Sequence, residues 1–475
     1  MSKLICREPE IEILNRLATS KQAEFLAIYG RRRIGKTYLI HQFFKGKGLY
    51  FELTGAKNAP KAQQLRHFSK EFSACFLAGR KTAVPGDWSE AFFELKTQVE
   101  NQDPSQRVIL FFDEIPWLAS KKSGFLEALE HAWNRYFSRM DHVVLIVCGS
   151  AASWMIQKIL SNKGGLYGRL TAQIRLLPFT LLETERYLQS QGVLLDRKQL
   201  VELYMALGGV AKYLSYVKSG QSAAQNISEI CFSPQGALHH EFFQLYQSLF
   251  DHPEQHIKII RALSQRWSGL SVSELQQETG NTSGGFFSNL LRELEESGFI
   301  LQIPDFGKKK KDARYRLIDE FSLFYLRFME EAQTLKSLQK DYWLRAQMSP
   351  SYLTWAGYAF EGIGLKHLQA IIEALGLSVV AAHSSGWFSK EAQIDLLIDR
   401  ADACMNLCEI KFYRQKWAMT SQDAAVLNHR KELFRAASKT KKTLFTTLIT
   451  PYGAEQNQHY FSSVQQQLKL EDLFR

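Results

Sequence analysis

The sequence holds 475 residues, 45% of them hydrophobic and 23% charged, with a formal net charge of +11. That composition excludes a disordered chain, and the length exceeds one compact core, so about three or four domains of about 100–200 residues are expected. The positive balance permits contact with nucleic acid or acidic surfaces and says nothing of fold.

Cys6, Cys75, Cys148, Cys231, Cys404 and Cys408 form no CxxC pair, and no histidine stands at zinc-ligand spacing from them. Their mostly apolar neighbours mark them as small buried hydrophobes in a reducing compartment. The polar stretch from Met1 to Glu12 is unlike a secretory signal, and no apolar run is long enough to span a bilayer. A cytoplasmic location and no membrane partner are therefore expected.

Alternating strand and helix patterns fill the region from about Phe25 to Ser150, which predicts a parallel sheet wrapped by helices. Phe25 to Tyr29 and Val143 to Val147 are continuous apolar runs of the kind buried on both faces. Gly30-Arg31-Arg32-Arg33-Ile34-Gly35-Lys36-Thr37 follows the first run and fits GxxxxGK[ST] at every fixed position. Such a loop curls its backbone N–H groups around phosphates at the positive end of a helix. Lys36 is expected on the β- and γ-phosphates of ATP, and the Thr37 hydroxyl on magnesium.

Val108 to Glu114 is an apolar strand ending in two acids. Asp113 would hold magnesium through its water shell, and Glu114 would orient and deprotonate the attacking water. Gly149-Ser150 ends the next strand, where Ser150 reads equally as a γ-phosphate sensor or a helix N-cap. Arg169, in the following glycine-rich loop, reads as an arginine finger or as a surface ion pair.

From about Thr180 to Leu249 the periodicity is helical, broken once by Gly208-Gly209. Residues from about His256 to Phe328 then read as helix, helix, hairpin, the order of a winged helix. Phe287, Leu290, Leu291 and Leu294 share one face of its second helix, and Pro304 to Lys311 makes the turn. Such a module sets that helix in a groove and lays the wing on the backbone. Lys308 to Lys311, Arg314 and Arg316 would contact phosphates from the wing, or be solvated. Glu293, Glu295 and Glu296 repel DNA, leaving only Thr282 to Asn289 to approach a groove; winged helices also dock proteins.

The final segment, about Ser351 to Arg475, is expected to begin with a helix and continue with three short strands. Asp395 lies on the strand Gln393 to Ile398, and Glu409 and Lys411 leave one face of the strand Met405 to Phe412. Glu361, in the preceding helix, is placed to join them. Converging carboxylates of this kind suit magnesium or manganese, with Asp395 and Glu409 as ligands and Lys411 steadying the nucleophile. An edge hairpin with ordinary ion pairs is the plainer reading of the same pattern.

YGRRRIGKT, FFDEIPWL, CGS, LYGRL, GGVAKYL and YRLIDEFSLFYLRF together resemble the archaeal-type P-loop ATPases, prokaryotic proteins related to the AAA+ and STAND groups. Two departures are visible: Ala211 stands where that family has proline in GGxPxYL, and Ile394 stands where proline precedes the aspartate. The resemblance implies a multidomain α/β chain with an αβα P-loop NTPase core, a helical lid, a winged helix and a C-terminal domain similar to PD-(D/E)XK nucleases, an α/β restriction-endonuclease-like fold. The expected division is 1–175 for the core, 176–250 for the lid, 251–335 for the winged helix, 336–350 for a linker and 351–475 for the nuclease-like domain. On this reading Mg-ATP gates DNA engagement or cleavage. The competing reading is a regulatory switch with an inert nuclease fold, whose winged helix docks a protein or an operator. A homo-oligomeric motor, with Arg169 acting in trans, is a third.

Overall fold

The computed structural model describes residues 4–160, 168–281, 284–309, 312–334 and 342–475. The chain divides into two compact units, Met1–Leu177 and Pro178–Arg475.

The first unit runs α1 (Glu8–Thr19), β1 (Glu24–Tyr29), α2 (Lys36–Phe44), β2 (Leu49–Thr54), α3 (Lys61–Phe76), α4 (Trp88–Glu100), β3 (Val108–Asp113), α5 (Ile115–Leu118), α6 (Phe125–Arg135), β4 (Val143–Gly149), α7 (Ala152–Met155) and β5 (Ala172–Arg175). Its five strands pair in parallel in the order β2-β3-β4-β1-β5. Every residue of β1, β3 and β4 is buried, as the continuous apolar runs require of strands covered on both faces. Phe25, Leu110, Phe112 and Leu145 fill one side with α4 and α6; Leu26, Ile109, Phe111 and Ile146 fill the other with α1 and α2. Because β4 pairs with both β1 and β3, the ends of all three strands stand side by side.

The second unit opens with helices α8 (Leu181–Ser190), α9 (Arg197–Leu207), α10 (Ala211–Leu214), α11 (Ala223–Ile227) and α12 (Glu241–Leu249). Thr180 and Glu183 form a capping box at the start of α8, and Asp196 caps α9, so local polar chemistry sets both beginnings. Next come α13 (Pro253–Ser264), β6 (Leu270–Ser271), α14 (Val272–Thr279), α15 (Gly285–Glu296), β7 (Ile300–Ile303) and β8 (Arg314–Leu317), three helices beside a three-stranded antiparallel sheet ordered β6-β8-β7. The expected face of α15 is inward: Phe287, Leu290, Leu291 and Leu294 are all buried. The short strand β6 was not anticipated.

Helices α16 (Glu320–Phe324), α17 (Glu330–Thr334) and α18 (Tyr342–Ala346) lead to α19 (Pro350–Lys366) and α20 (Leu368–Ala374). The expected linker is thus partly helix, and Trp343 within it is 1% exposed, packed among Phe232, Phe324, Phe328 and Trp355. The chain ends with β9 (Ala382–Phe388), β10 (Gln393–Arg400), β11 (Cys404–Ile410), α21 (Ser421–Ser438), β12 (Thr443–Ile449), α22 (Gln458–Phe461) and β13 (Gln466–Leu468). Here the sheet has five strands rather than the expected three, in the order β13-β12-β11-β10-β9. Strands β9, β10 and β11 are antiparallel; β12 and β13 join in parallel. Among the described residues no helix is long and apolar enough to cross a membrane.

Candidate functional site

The P-loop leaves β1 at Gly30 and enters α2 at Lys36. Gly30 has φ of 144°, and a Cβ there would lie 2.2 Å from the Leu176 carbonyl oxygen, so no other residue fits. Gly35, with φ of 97°, caps α2 in the left-handed region and turns the helix N-terminus toward the loop. Arg33 also adopts a positive φ, Ile34 is buried, and Arg31 is buried at 3% exposure. The Arg32 guanidinium lies 5.3 Å above the Trp117 ring.

Lys36 is folded into this loop. Its ammonium donates to the carbonyls of Gly30 at 2.8 Å and Arg31 at 2.9 Å, and to Ser150 Oγ at 3.0 Å. These three acceptors satisfy all its donors at 5% residue exposure. The Thr37 hydroxyl donates to Asp113 Oδ2 at 2.7 Å. Two hard oxygens therefore stand together beside a helix N-terminus, a donor set that fits magnesium carried by a nucleotide.

Glu114 follows β3 in the left-handed region, with φ of 48°. There its carboxylate accepts from the Ser150 amide at 3.1 Å and from the Ser150 hydroxyl. Ser150 caps no helix with its side chain: the residue before α7 is Ala151. Its hydroxyl instead accepts from Lys36 and donates to Glu114. Arg169 is exposed on the turn before β5 and has no part in this network, while residues 161–167 of its loop lie outside the described residues.

Three neighbours, Cys148, Tyr50 and Glu52, were not read from the sequence as part of the site. Cys148 lies fully buried below the site, where burial and the Asp113 carboxylate push its thiol well up. On β2, the Tyr50 hydroxyl donates to Glu52 at 3.0 Å, and burial, opposed by that bond, raises the Glu52 carboxyl beside Asp113.

In the second unit the expected carboxylates do gather, but around cations of the chain. Arg316, on β8, donates to Glu361 at 2.7 Å and lies 3.6 Å from Asp395. Lys411 lies 3.2 Å from Glu409, whose other oxygen meets Arg430 of α21. Burial and Asp395 push the Glu361 carboxyl up to about 7 against the pull of Arg316. Burial works to lower the Lys411 ammonium, but Glu409 and Glu361 outweigh it and hold it above its ordinary value. Among the described residues no group of three or more His, Cys, Asp or Glu side chains could hold a metal ion. The magnesium or manganese centre expected at Asp395 and Glu409 does not fit this arrangement, because guanidinium and ammonium groups occupy the carboxylate oxygens.

The wing also departs from expectation. Arg314 donates to the Gly269 carbonyl at 2.8 Å and pairs with Glu274 at 3.1 Å, and Arg316 is 4% exposed. Lys308 pairs with Asp305 at 2.5 Å; Lys310 and Lys311, like Thr282 and Ser283, lie outside the described residues. The β7–β8 hairpin is fastened to the edge of β9 by Phe306 N–H to the Gly386 carbonyl and Gly386 N–H to the Pro304 carbonyl, both 2.8 Å. Phe306 packs there on Phe434 and Trp387. Arg314 and Arg316 are therefore spent on the protein itself rather than offered to phosphates.

Residues 4–217 match the model of an ATPase domain found predominantly in Archaea, and residues 325–425 match one of archaeal and bacterial proteins of unknown function. An uncharacterized protein of Methanocaldococcus jannaschii is 24% identical over 394 residues, 82% of this chain and 83% of its own. Among solved structures, a Walker-type ATPase of Pyrococcus abyssi is similar at 18% identity and a TM-score of 0.49, over 68% of this chain and 96% of that one. The Aeropyrum pernix ORC2 protein, solved in ADPNP and ADP complexes, gives 18% identity and a TM-score of 0.46, over 70% and 96%. With Lys36, Thr37, Asp113 and Glu114 set around one phosphate-shaped loop, the first unit is a P-loop ATPase domain that binds ATP, similar to that predominantly archaeal domain.

Proposed function

We propose that ATP hydrolysis in the first unit sets the state of the second, which engages DNA through a winged helix and a nuclease-like sheet domain. The observation that carries its hydrolytic part is the double contact of Ser150, to Lys36 and to Glu114. A γ-phosphate drawing Lys36 away from Ser150 changes the partner of the group that holds the catalytic carboxylate. Phosphate occupancy and the position of Glu114 are thereby linked.

In the hydrolytic step Lys36 exchanges Ser150 Oγ and the Gly30 and Arg31 carbonyls for phosphate oxygens. Thr37 and Asp113 would hold magnesium, which would supply charge withdrawal from the phosphates. Glu114 accepts the proton of the attacking water. Arg169, exposed beside this unit, is free to serve a neighbouring copy.

A regulatory switch with an inert nuclease fold is the second reading, and one observation favours it: Arg316 sits on the acids that a cation would need. Cleavage of plasmid and linear DNA with magnesium or manganese, with and without ATP, separates the two. ATP-dependent cutting that disappears in Asp395→Ala supports the gated nuclease. Intact ATP turnover with no cutting under any metal supports the switch.

A further inference from the structure

We infer that α3 and the segment returning along it form a face of the first unit that takes the phosphate backbone of DNA. This goes beyond the reading above, which sets DNA on the second unit, and does not depend on it.

The two units divide the charge unevenly. Residues 1–177 hold 26 Lys and Arg against 16 Asp and Glu, whereas residues 178–475 hold 33 against 32. The positive excess of the chain is therefore almost wholly a property of the ATPase unit. Half of that unit's excess lies in one stretch, where Lys57, Lys61, Arg66, Lys70, Arg80 and Lys81 face the single acid Glu71. All six cations are exposed. Among the described residues, Lys61, Arg66, Lys70, Arg80 and Lys81 enter no ion pair.

The fold gathers these cations on one flank. Leu65, Phe68 and Phe72 turn inward to the core of the sheet, so the helical period sets Gln63, Arg66, His67 and Lys70 on the outward side of α3. Beyond the helix the chain doubles back. Ser73 Oγ donates to the Arg80 carbonyl, and Ser69 Oγ donates to the Ala83 carbonyl at 3.4 Å. Ser69 and Ser73 stand one turn from Arg66 and Lys70, so the returning segment lays Arg80 and Lys81 beside them. The start of the helix is fixed as well. The buried Gln64 amide donates to the Ala56 carbonyl at 2.8 Å and the Trp117 carbonyl at 3.2 Å, and its oxygen accepts from the Ala56 amide at 3.2 Å.

The chemistry of the face selects its occupant. α3 exposes no apolar side chain larger than alanine. A membrane surface is held by apolar insertion and a protein partner by buried aromatic anchors, and α3 offers neither. Free cations with amide and imidazole groups between them suit phosphate oxygens, without regard to base sequence.

The test is fluorescence anisotropy of a labelled mixed-sequence DNA duplex with the full chain, over a salt series without magnesium. It compares the native protein, Arg66→Gln/Lys70→Gln/Lys81→Gln, and Arg292→Gln on the exposed side of α15. The triple variant should bind about tenfold or more weakly at low salt, with the slope of log affinity on log salt reduced by about two to three. Unchanged affinity and slope in a folded triple variant overturn the face. Loss in Arg292→Gln alone also overturns it and leaves the winged-helix reading. Loss in the triple variant alone upholds the face and removes Arg292 from DNA. No binding by the native chain overturns both. Loss of binding to phosphatidylglycerol vesicles, with DNA binding unaffected, overturns the proposal in favour of a membrane. Should the triple variant fail to fold, Arg80→Gln/Lys81→Gln leaves the helix intact and should lower the slope by about two.

Discussion

The carboxylate of Glu114 is gripped twice by Ser150, once by its amide and once by its hydroxyl, across 36 positions of sequence. The same hydroxyl accepts from Lys36, so the three side chains form one line of hydrogen bonds from the lysine of the glycine-rich loop to the acid that follows β3.

Ser150→Ala removes the hydroxyl from that line and keeps the amide. ATP turnover should fall by about tenfold or more, as expected when a general base loses its orientation. Nucleotide affinity should change far less, by no more than about threefold, because in the proposed mechanism Lys36 leaves Ser150 for phosphate oxygens in either chain. Steady-state kinetics beside a fluorescent-nucleotide titration reads both; an equal loss in the two would place Ser150 in binding alone.

Glu114→Gln should bind ATP as the native chain does and lose turnover by about a hundredfold or more. Lys36→Ala should instead lose affinity, the outcome expected if its ammonium takes the phosphate oxygens in the proposed hydrolytic step. A Glu114→Gln chain that fails to retain nucleotide would remove Glu114 from the role of base.

Gly30→Ala should destabilise the first unit. The new Cβ meets the Leu176 carbonyl oxygen at 2.2 Å, and backbone, unlike a side-chain tip, does not swing aside. With the strain of φ at 144° added, the cost is on the order of 2 kcal/mol or more. Chemical denaturation compared with the native chain measures it, and an unchanged midpoint would show that the loop relaxes.

His367 predicts a pH dependence of the second unit. Its ring accepts from the Leu181 amide at 3.0 Å through Nε2 and hydrogen-bonds the Ile363 carbonyl at 2.8 Å through Nδ1, a pairing that needs the neutral ring. Burial holds its pKa down at about 4, against 6.5 for a free ring. Between these values the unfolded chain takes up the proton and the folded one does not. The contribution is whole above about pH 6.5 and is lost as the pH falls toward 4, on the order of 3 kcal/mol in all. Denaturation across that range should show the slope, and His367→Gln should flatten it.

The ATP site was legible because its parts are contiguous: Gly30 to Thr37 and Val108 to Glu114 each carry their chemistry within one strand and the turn after it. The contact of Ser150 with Lys36 and Glu114 was not, because it depends on β4 lying between β1 and β3, a matter of strand order. In the second unit, Glu361, Asp395, Glu409 and Lys411 were readable as a set. Arg316 was readable only as a wing cation, since its partner Glu361 lies 45 residues on and in another sheet domain. Of the five strands only β10 and β11 were placed by residue; in β9 and β12, His383, Ser384 and Ser385, or Thr443, Thr446 and Thr447, dilute the apolar pattern that marks a strand.

Glu361 and His367 sit at one end of α19, six positions apart. At 1.5 Å per residue that is about 9 Å of helix, a length over which a helix does not bend appreciably. One residue answers to the acids under the hairpin; the other is bonded to the first amide of α8, where the chain enters the second unit. The entrance of the unit and its buried charges are therefore mounted on a single stiff rod. Within the second unit, the start of α8 and the guanidinium of Arg316 are held by one and the same helix.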